Sequence, residues 1–382
     1  MPDPLAEHYR HLLGAPGSRG LIDTPALVLD LDALEANIAT MAALARSRGI
    51  ALRPHAKTHK CSRIARLQLA AGAVGQCCAK LGEAEALAAE GTGGLLVTSA
   101  VQDAAKIRRL AALAHRTGDL MVVVEDGPNV QALAQAAAAE GVRLPVLVDV
   151  DVGTHRFGVP TVEGVVTLAR LIAEQPALEL RGLQGYAGHI QAIPDYAERR
   201  ARSHEALSLL GRARDALVEA GLPCPIVTGG GTGTHDFDHE AGVLTELQVG
   251  SYIVSDVAYD GVAMTPDGTR RFRDALFVHT RVVSAQHPGF STTDAGHKSF
   301  ATDGPAPAIA SGAPPGSTYA RAGDEFGRVV LPDPGGRLPV GTLLACVVPH
   351  CDPTVNLYDR YHAVRGDRLV EVWPIEARGR SD

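Results

Sequence analysis

From residue 51 the chain alternates short apolar runs with longer stretches in which apolar residues recur every three to four positions. The short runs are ALRPHA, AVGQCCAK, GLLVTSA, LMVVVE, PVLVDVDV, LRGLQGYA, PIVTGGG and ELQVGSYIV. Near-continuous apolar runs of this length suit strands buried on both faces. Between them lie QDAAKIRRLAALAHRTG, GPNVQALAQAAAAEG and DYAERRARSHEALSLLGRARDALVEAG, which have helical spacing and end in glycine. Eight such alternations predict a (β/α)8 barrel of the TIM type, an α/β fold. A doubly wound open sheet is the competing arrangement. Past about residue 265 the helical period fades, and LFVHTRVVSAQ, TLLACVVPH and RLVEVWPIEA read as strands between Gly/Pro turns. The early run TPALVLDLDAL can join that second sheet. The expected division is an N-terminal segment, 1–30, contributing to a smaller, mainly β domain; a barrel, 31–264; and the C-terminal β domain, 265–382. The stretch GPAPAIASGAPPG, 304–316, reads as a mobile loop.

Composition narrows the possibilities. The chain has 382 residues, 46% of them hydrophobic, enough for one large core and a smaller one. A net charge of −7 and the lack of a basic run argue against nucleic acid as a partner. No apolar stretch approaches the ~18 residues of a membrane span. The first twenty residues carry acids, prolines and histidines where a signal peptide needs an apolar block. A cytoplasmic location is therefore expected. Six cysteines without a CxxC pair point to reduced thiols.

Lysine occurs only at 57, 60, 80, 106 and 298, yet RPHAKTHK holds two of the five. The barrel reading puts Lys57 at the end of the first strand, facing the mouth. A lysine there can condense with an aldehyde when desolvation or neighbouring cations deprotonate its amine, and Arg53, His59 and Lys60 are close in sequence. Solvated lysines at the head of a helix would explain the same residues. After the seventh strand, VTGGGTGTHDF lacks the G-K-[ST] of a Walker loop and the spacing of a Rossmann fingerprint. Its glycines let backbone N–H groups approach an anion, or they make a tight turn. VDVDVGTHRFGV ends the fifth strand with Arg156, which a surface pair with aspartate would also explain. LQGYAGHIQ puts Tyr186 and His189 at the end of the sixth, where a neutral histidine can take a hydroxyl proton. In an extended VVPHCDPTVN, His350 and Asp352 point together and Cys351 points away. Imidazole and carboxylate completed by water suit Mn²⁺ or Mg²⁺, whereas a His–Cys pair favours Zn²⁺. A buried His–Asp pair without metal is the alternative.

Taken in order, TPALVLDLDALEANI, RPHAKTHK, CAKLGEAEAL, DVGTHRFGV, GLQGYAGH, TGGGTGT, ELQVGSYIV, DAGHKS and PHCDPTVN resemble the D-threonine aldolase and D-serine dehydratase group of fold-type III pyridoxal-phosphate enzymes. The barrel of that group is related to alanine racemase. The resemblance covers nearly the whole chain. It implies pyridoxal 5'-phosphate on Lys57, with its phosphate at Gly230, Gly231 and Thr232 and the cup completed by Gly250, Ser251 and Tyr252. Arg156 would meet the phenolate oxygen, and Gln76 would offer an amide to cofactor or substrate. His189 or His59 would be the base. His350 and Asp352 would hold a divalent metal, manganese or magnesium rather than zinc, because the aldolases resemble H-x-D and the dehydratases H-x-C. The implied reaction is retro-aldol cleavage of D-3-hydroxyamino acids to glycine and an aldehyde. A D-serine or 3-hydroxyaspartate dehydratase, or a 3-hydroxy-D-aspartate aldolase giving glyoxylate, is the alternative. A cofactor carrier without turnover is a hypothesis of another class. A homodimer is expected, the β domain of one chain near the other's barrel mouth. RAGDEFGRV departs from the group's D-E-H-G, with Phe326 at the histidine position.

Overall fold

A computed structural model gives the structure and describes residues 7–382. Residues 1–6 of the N-terminal segment lie outside the described residues. Strand β1 (Ala26–Asp30) ends on Asp30, whose carboxylate caps α1 (Leu31–Ser47) by accepting the Ala33 N–H at 3.0 Å. The barrel follows as β2 (Ala51–Leu52), α2 (Ser62–Ala70), β3 (Gln76–Cys78), α3 (Leu81–Ala89), β4 (Leu95–Val97) and α4 (Ala104–Thr117). It continues through β5 (Met121–Val124), α5 (Gly127–Ala139), β6 (Leu144–Asp149), α6 (Val162–Ala173), β7 (Leu178–Gly185), α7 (Tyr196–Glu219), β8 (Ile226–Gly229) and β9 (Glu246–Leu247). These eight strands are parallel, in the order β2-β9-β8-β7-β6-β5-β4-β3. Its edges meet at the His55–Cys77 bridge, where the Cys77 N–H donates to Pro54 O at 2.8 Å. The sheet is thus a closed barrel and not an open doubly wound sheet.

The strand–helix alternation is complete for six strands only. After β8 and β9 the chain makes short 3-10 turns, Asp238–Ala241 and Ser251–Ile253. Helix α1 fills the vacant flank. Asn37 Nδ2 donates to Ile253 O at 3.0 Å and to Arg273 O at 2.8 Å, and its Oδ1 accepts the Arg273 N–H at 2.8 Å. A helix from before the first barrel strand therefore seals the seam after the last.

The second sheet is built on β10 (Leu276–Ser284), β11 (Phe290–Thr293), β12 (Ala308–Ser311), β13 (Thr318–Arg321), β14 (Gly327–Val330), β15 (Leu343–Val347), β16 (Arg360–Arg365) and β17 (Arg368–Pro374). Its path is β13-β14-β11-β10-β1-β16-β17, with β15 beside β10 and β12 beside β15. Strand β1 lies antiparallel to β10 and parallel to β16. Strand β12 corrects the expectation of a loop across 304–316: Ala308 pairs with Val347 and Ile309 with Cys346. Prolines at 305, 307, 314 and 315 bound a proline-free run just long enough to add an edge strand. A short helix, α8 (Cys351–Val355), follows β15.

Inside the barrel, Arg53 is buried and reaches Glu246 of β9 through Nε at 2.8 Å and Nη2 at 2.9 Å. Gly75 leaves room for it, since a Cβ there would lie 2.2 Å from Arg53 Nη1 and 2.0 Å from Gly94 O. The bidentate pair joins the first strand segment to the last. Glu246→Leu strands a buried guanidinium and should cost about 3–5 kcal/mol in urea unfolding. The double variant Arg53→Met/Glu246→Leu, which removes both charges, should recover most of that loss.

Candidate active site

The strand ends open on a cleft of about 660 Å³ between the barrel mouth and α8. Lys57, Arg156, Tyr186, His189, Gly231, Thr232, Gly250, Ser251, His350 and Asp352 line it. His59, Gln76, Gly230 and Tyr252 do not.

Lys57 stands in the 3-10 turn Ala56–Thr58, and its Nζ donates to the Asp352 carboxylate. Burial alone would push the ammonium down and the carboxyl up. The contact overrides burial on both sides, raising the Lys57 pKa and holding Asp352 well below the usual carboxylate range. This corrects the expectation that nearby cations deprotonate Lys57. Arg53 is paired with Glu246 and Lys60 with Glu83, so both are neutralised where they stand.

His350 is extended, but α8 begins at Cys351, so strand alternation does not bring His350 and Asp352 together. They share the cleft wall because the chain turns into a helix between them. His350 Nδ1 lies 2.9 Å from Asp303 Oδ2. Cys351 points away from the cleft and is fully buried, and its N–H donates to Asp256 Oδ2 at 2.9 Å. Burial first, then Asp256 and Asp352, push its thiol pKa far up. Among the described residues no cluster of three or more His, Cys, Asp or Glu stands ready for a metal. The donor set is one imidazole and one carboxylate, which leaves the other positions of a divalent ion to water and substrate.

Opposite, the loops after β8 and β9 form a backbone cup. The N–H groups of Thr232, Gly250 and Ser251 donate to no protein group among the described residues. A Cβ on Gly231 would lie 2.5 Å from Gln191 Oε1, and one on Gly250 2.6 Å from Thr58 Oγ1, so a side chain at either position would have to displace that neighbour. Free N–H donors beside side-chain-free backbone fit a phosphate. Gly230 serves the turn instead, with φ +68° and its Cα against Asp238. The Tyr252 N–H donates to Thr232 Oγ1 at 3.2 Å, but its ring points into the core, where the hydroxyl accepts from Gln68 Nε2 at 3.0 Å.

Gln76 opens β3, at the strand end away from the mouth, and donates to Gln68 Oε1 at 3.1 Å. His59 is buried beside this network, its Nδ1 accepts the Cys61 N–H at 3.1 Å, and burial pushes its pKa down to about 4. Neither faces the cleft, which removes His59 as a base. His189 is exposed at the mouth, with Nδ1 3.3 Å from Thr154 Oγ1. The Arg156 guanidinium stacks over Phe157, 4.3 Å from the ring centroid, and makes no ion pair among the described residues. The surface Arg–Asp pair therefore does not form, and Asp151 holds His155 at 2.8 Å instead. Sequence reasoning missed Asp303 and Lys80, both on the cleft. Asp303 carried no local signal, whereas the scarcity of lysine could have flagged Lys80.

A parallel barrel with a lysine after its first strand, an anion cup after its last two and a wall from an appended β domain is the architecture of the alanine-racemase class. Residues 29–256 match the family described as alanine racemase, N-terminal domain, and residues 275–364 match the putative serine dehydratase domain. The chain belongs to this alanine-racemase-type family. It is 40% identical over 359 residues to a D-threonine aldolase of Arthrobacter sp, covering 94% of this chain and 93% of the relative. It is 39% identical over 364 residues to a 3-hydroxy-D-aspartate aldolase of Paracoccus denitrificans (strain Pd 1222), again 94% and 93%. The crystal structure of D-threonine aldolase from Filomicrobium marinum superposes with a TM-score of 0.91 at 38% identity, over 95% of this chain and 98% of that one.

Beneath the cup, Asp238 accepts from Thr234 Oγ1 at 2.6 Å and Ser203 Oγ at 2.7 Å, and burial pushes its pKa up to about 7. Between about pH 4 and 7 the unfolded chain has released this proton and the folded one has kept it, so stability falls as pH rises through that window. The contribution is on the order of 4 kcal/mol. Urea unfolding at pH 5 and pH 8 should show Asp238→Asn gaining several kcal/mol on the natural protein at the higher pH.

Proposed function

We propose that this chain is a pyridoxal-phosphate- and divalent-metal-dependent lyase that cleaves D-3-hydroxyamino acids of the D-threonine type to glycine and an aldehyde. One observation carries the reading: Lys57, the backbone cup, His189 and the His350/Asp352 wall face a single cleft. The cofactor, when bound, supplies the electron sink for breaking Cα–Cβ. A divalent ion at His350 and Asp352, manganese or magnesium by the hard oxygen donor, supplies Lewis acidity at the substrate hydroxyl. Lys57 presents the amine that holds the cofactor aldehyde. Thr232, Gly250 and Ser251 would offer N–H groups to its phosphate, Arg156, held over Phe157, would meet its phenolate oxygen, and Tyr186 would line its ring. His189 takes the β-hydroxyl proton as the Cα–Cβ bond breaks and the aldehyde carbonyl forms; Cα then regains a proton to give glycine. In this reading 31–264 is the cofactor barrel and 265–382, with 1–30, the β domain. A homodimer in the cytoplasm is part of the same proposal. No helix among the described residues is long and apolar enough to cross a membrane.

A second substrate has support of its own. Lys57, Lys60 and Lys298 are ion-paired, while the Lys80 ammonium, on the cleft, makes no ion pair among the described residues. That ammonium is free for a second carboxylate, which favours 3-hydroxy-D-aspartate alongside D-threonine.

The purified protein should cleave D-threonine to acetaldehyde, lose activity in EDTA and regain it with Mn²⁺. Ammonia and 2-oxobutanoate as the main products would make it a dehydratase and sink the reading. Borohydride reduction should place the cofactor adduct on Lys57 by peptide mapping. His189→Asn should lower kcat by about 10²–10⁴ with the cofactor still bound.

A further inference from the structure

We infer that His235, which does not line the cleft, is the positioning residue for the phosphate end of the site. The inference rests on the cofactor reading above. It starts from a difficulty in the glycine run. Gly231 and Gly233 flank Thr232; a Cβ on Gly233 would lie 2.1 Å from the Gln191 carbonyl oxygen, and one on Gly231 2.5 Å from Gln191 Oε1, which holds the Gly233 N–H. Glycine on both sides removes the steric barriers that would otherwise hold the Thr232 backbone in one conformation. Hydrogen bonds must do so instead.

Those bonds are present on every side but one. The 231–232 peptide is held at its carbonyl, which accepts the Thr234 N–H at 3.2 Å. The 232–233 peptide is held at both ends. Its N–H, on Gly233, donates to Gln191 Oε1 at 2.9 Å, and its carbonyl, on Thr232, meets His235 Nδ1 at 2.6 Å. The Thr232 hydroxyl oxygen accepts the Tyr252 N–H at 3.2 Å, which leaves its own proton free. The Thr232 N–H and O–H are the groups left over, and Thr232 lines the cleft.

His235 can act only one way. Its Nε2 lies 3.1 Å from Arg271 Nη1, and a guanidinium has donors but no acceptor. Nε2 must therefore accept, and the ring proton sits on Nδ1, aimed at the Thr232 carbonyl. Arg271 is itself fixed by Asp236 at 2.7 Å, which also binds Arg48 at 2.7 Å. His235 is fully buried against Phe272, with ring centroids 5.2 Å apart. Without the Nδ1–H the Thr232 carbonyl is buried and unpaired, and the peptide is free to rotate away with the residue that meets the phosphate.

The test measures affinity of the metal-free, cofactor-free full chain for two aldehydes, pyridoxal 5'-phosphate and pyridoxal, by absorbance. His235→Leu and His235→Gln should weaken the phosphorylated aldehyde about tenfold or more while pyridoxal binds as before. Gln keeps an acceptor for Arg271 but loses the donor at the Nδ1 position, so it decides the matter should the leucine variant fail to fold. His235→Asn, whose Nδ2 stands in for Nδ1, should restore affinity to within about threefold. Equal weakening of both aldehydes, or none, overturns the inference. A natural protein that binds neither aldehyde overturns the cofactor reading and the inference together.

Discussion

The contact between Lys57 and Asp352 is the interaction on which the site depends. The two residues are 295 apart in sequence, one on the barrel's first turn and one at the start of α8. Each would resist charge if buried alone, and together they keep it. The pair therefore joins the two sheets at the cleft.

The rest of the mouth solves a different problem. Glycine lets backbone reach an anion but gives the backbone no preferred conformation. Around Thr232 the missing constraint is supplied by side chains from separate elements: Gln191 after β7, His235 in the same loop, and the Tyr252 N–H after β9. Beneath them His59, Gln76, Gln68 and the Tyr252 ring form a second polar layer. Burial holds both His59 and His235 down at about 4, so these layers stay neutral near pH 7 and direct hydrogen bonds without adding charge.

Much of this was legible in the chain. Apolar runs at regular intervals specify buried parallel strands, and a parallel strand must be followed by a crossover, so the barrel follows from pattern alone. Strand ends then fix which motifs face the mouth. That is why Lys57, Arg156, Tyr186, His189, Gly231, Thr232, Gly250 and Ser251 reach one cleft as the sequence places them. The aldolase resemblance and the family agree for the same reason, since the motifs occur in order along the whole chain.

Local pattern could not decide where side chains between strands turn. His59 and Lys57 are two residues apart, yet a single 3-10 turn sends one into the core and the other into the cleft. Gln76 follows the same logic at the wrong end of its strand, and His350 and Asp352 share a wall through a helix start that strand alternation does not foresee. Pairings are further out of reach. Which cation keeps a free charge depends on carboxylates brought in from distant segments: Glu246 to Arg53, Glu83 to Lys60, Asp352 to Lys57. Periodicity and strand direction are local properties, and they suffice to specify the barrel, the appended sheet and the chemical groups at the mouth. Which of those groups face one another, and with what charge, depends on burial and ion pairing between residues far apart along the chain, so it emerges only when the chain is folded.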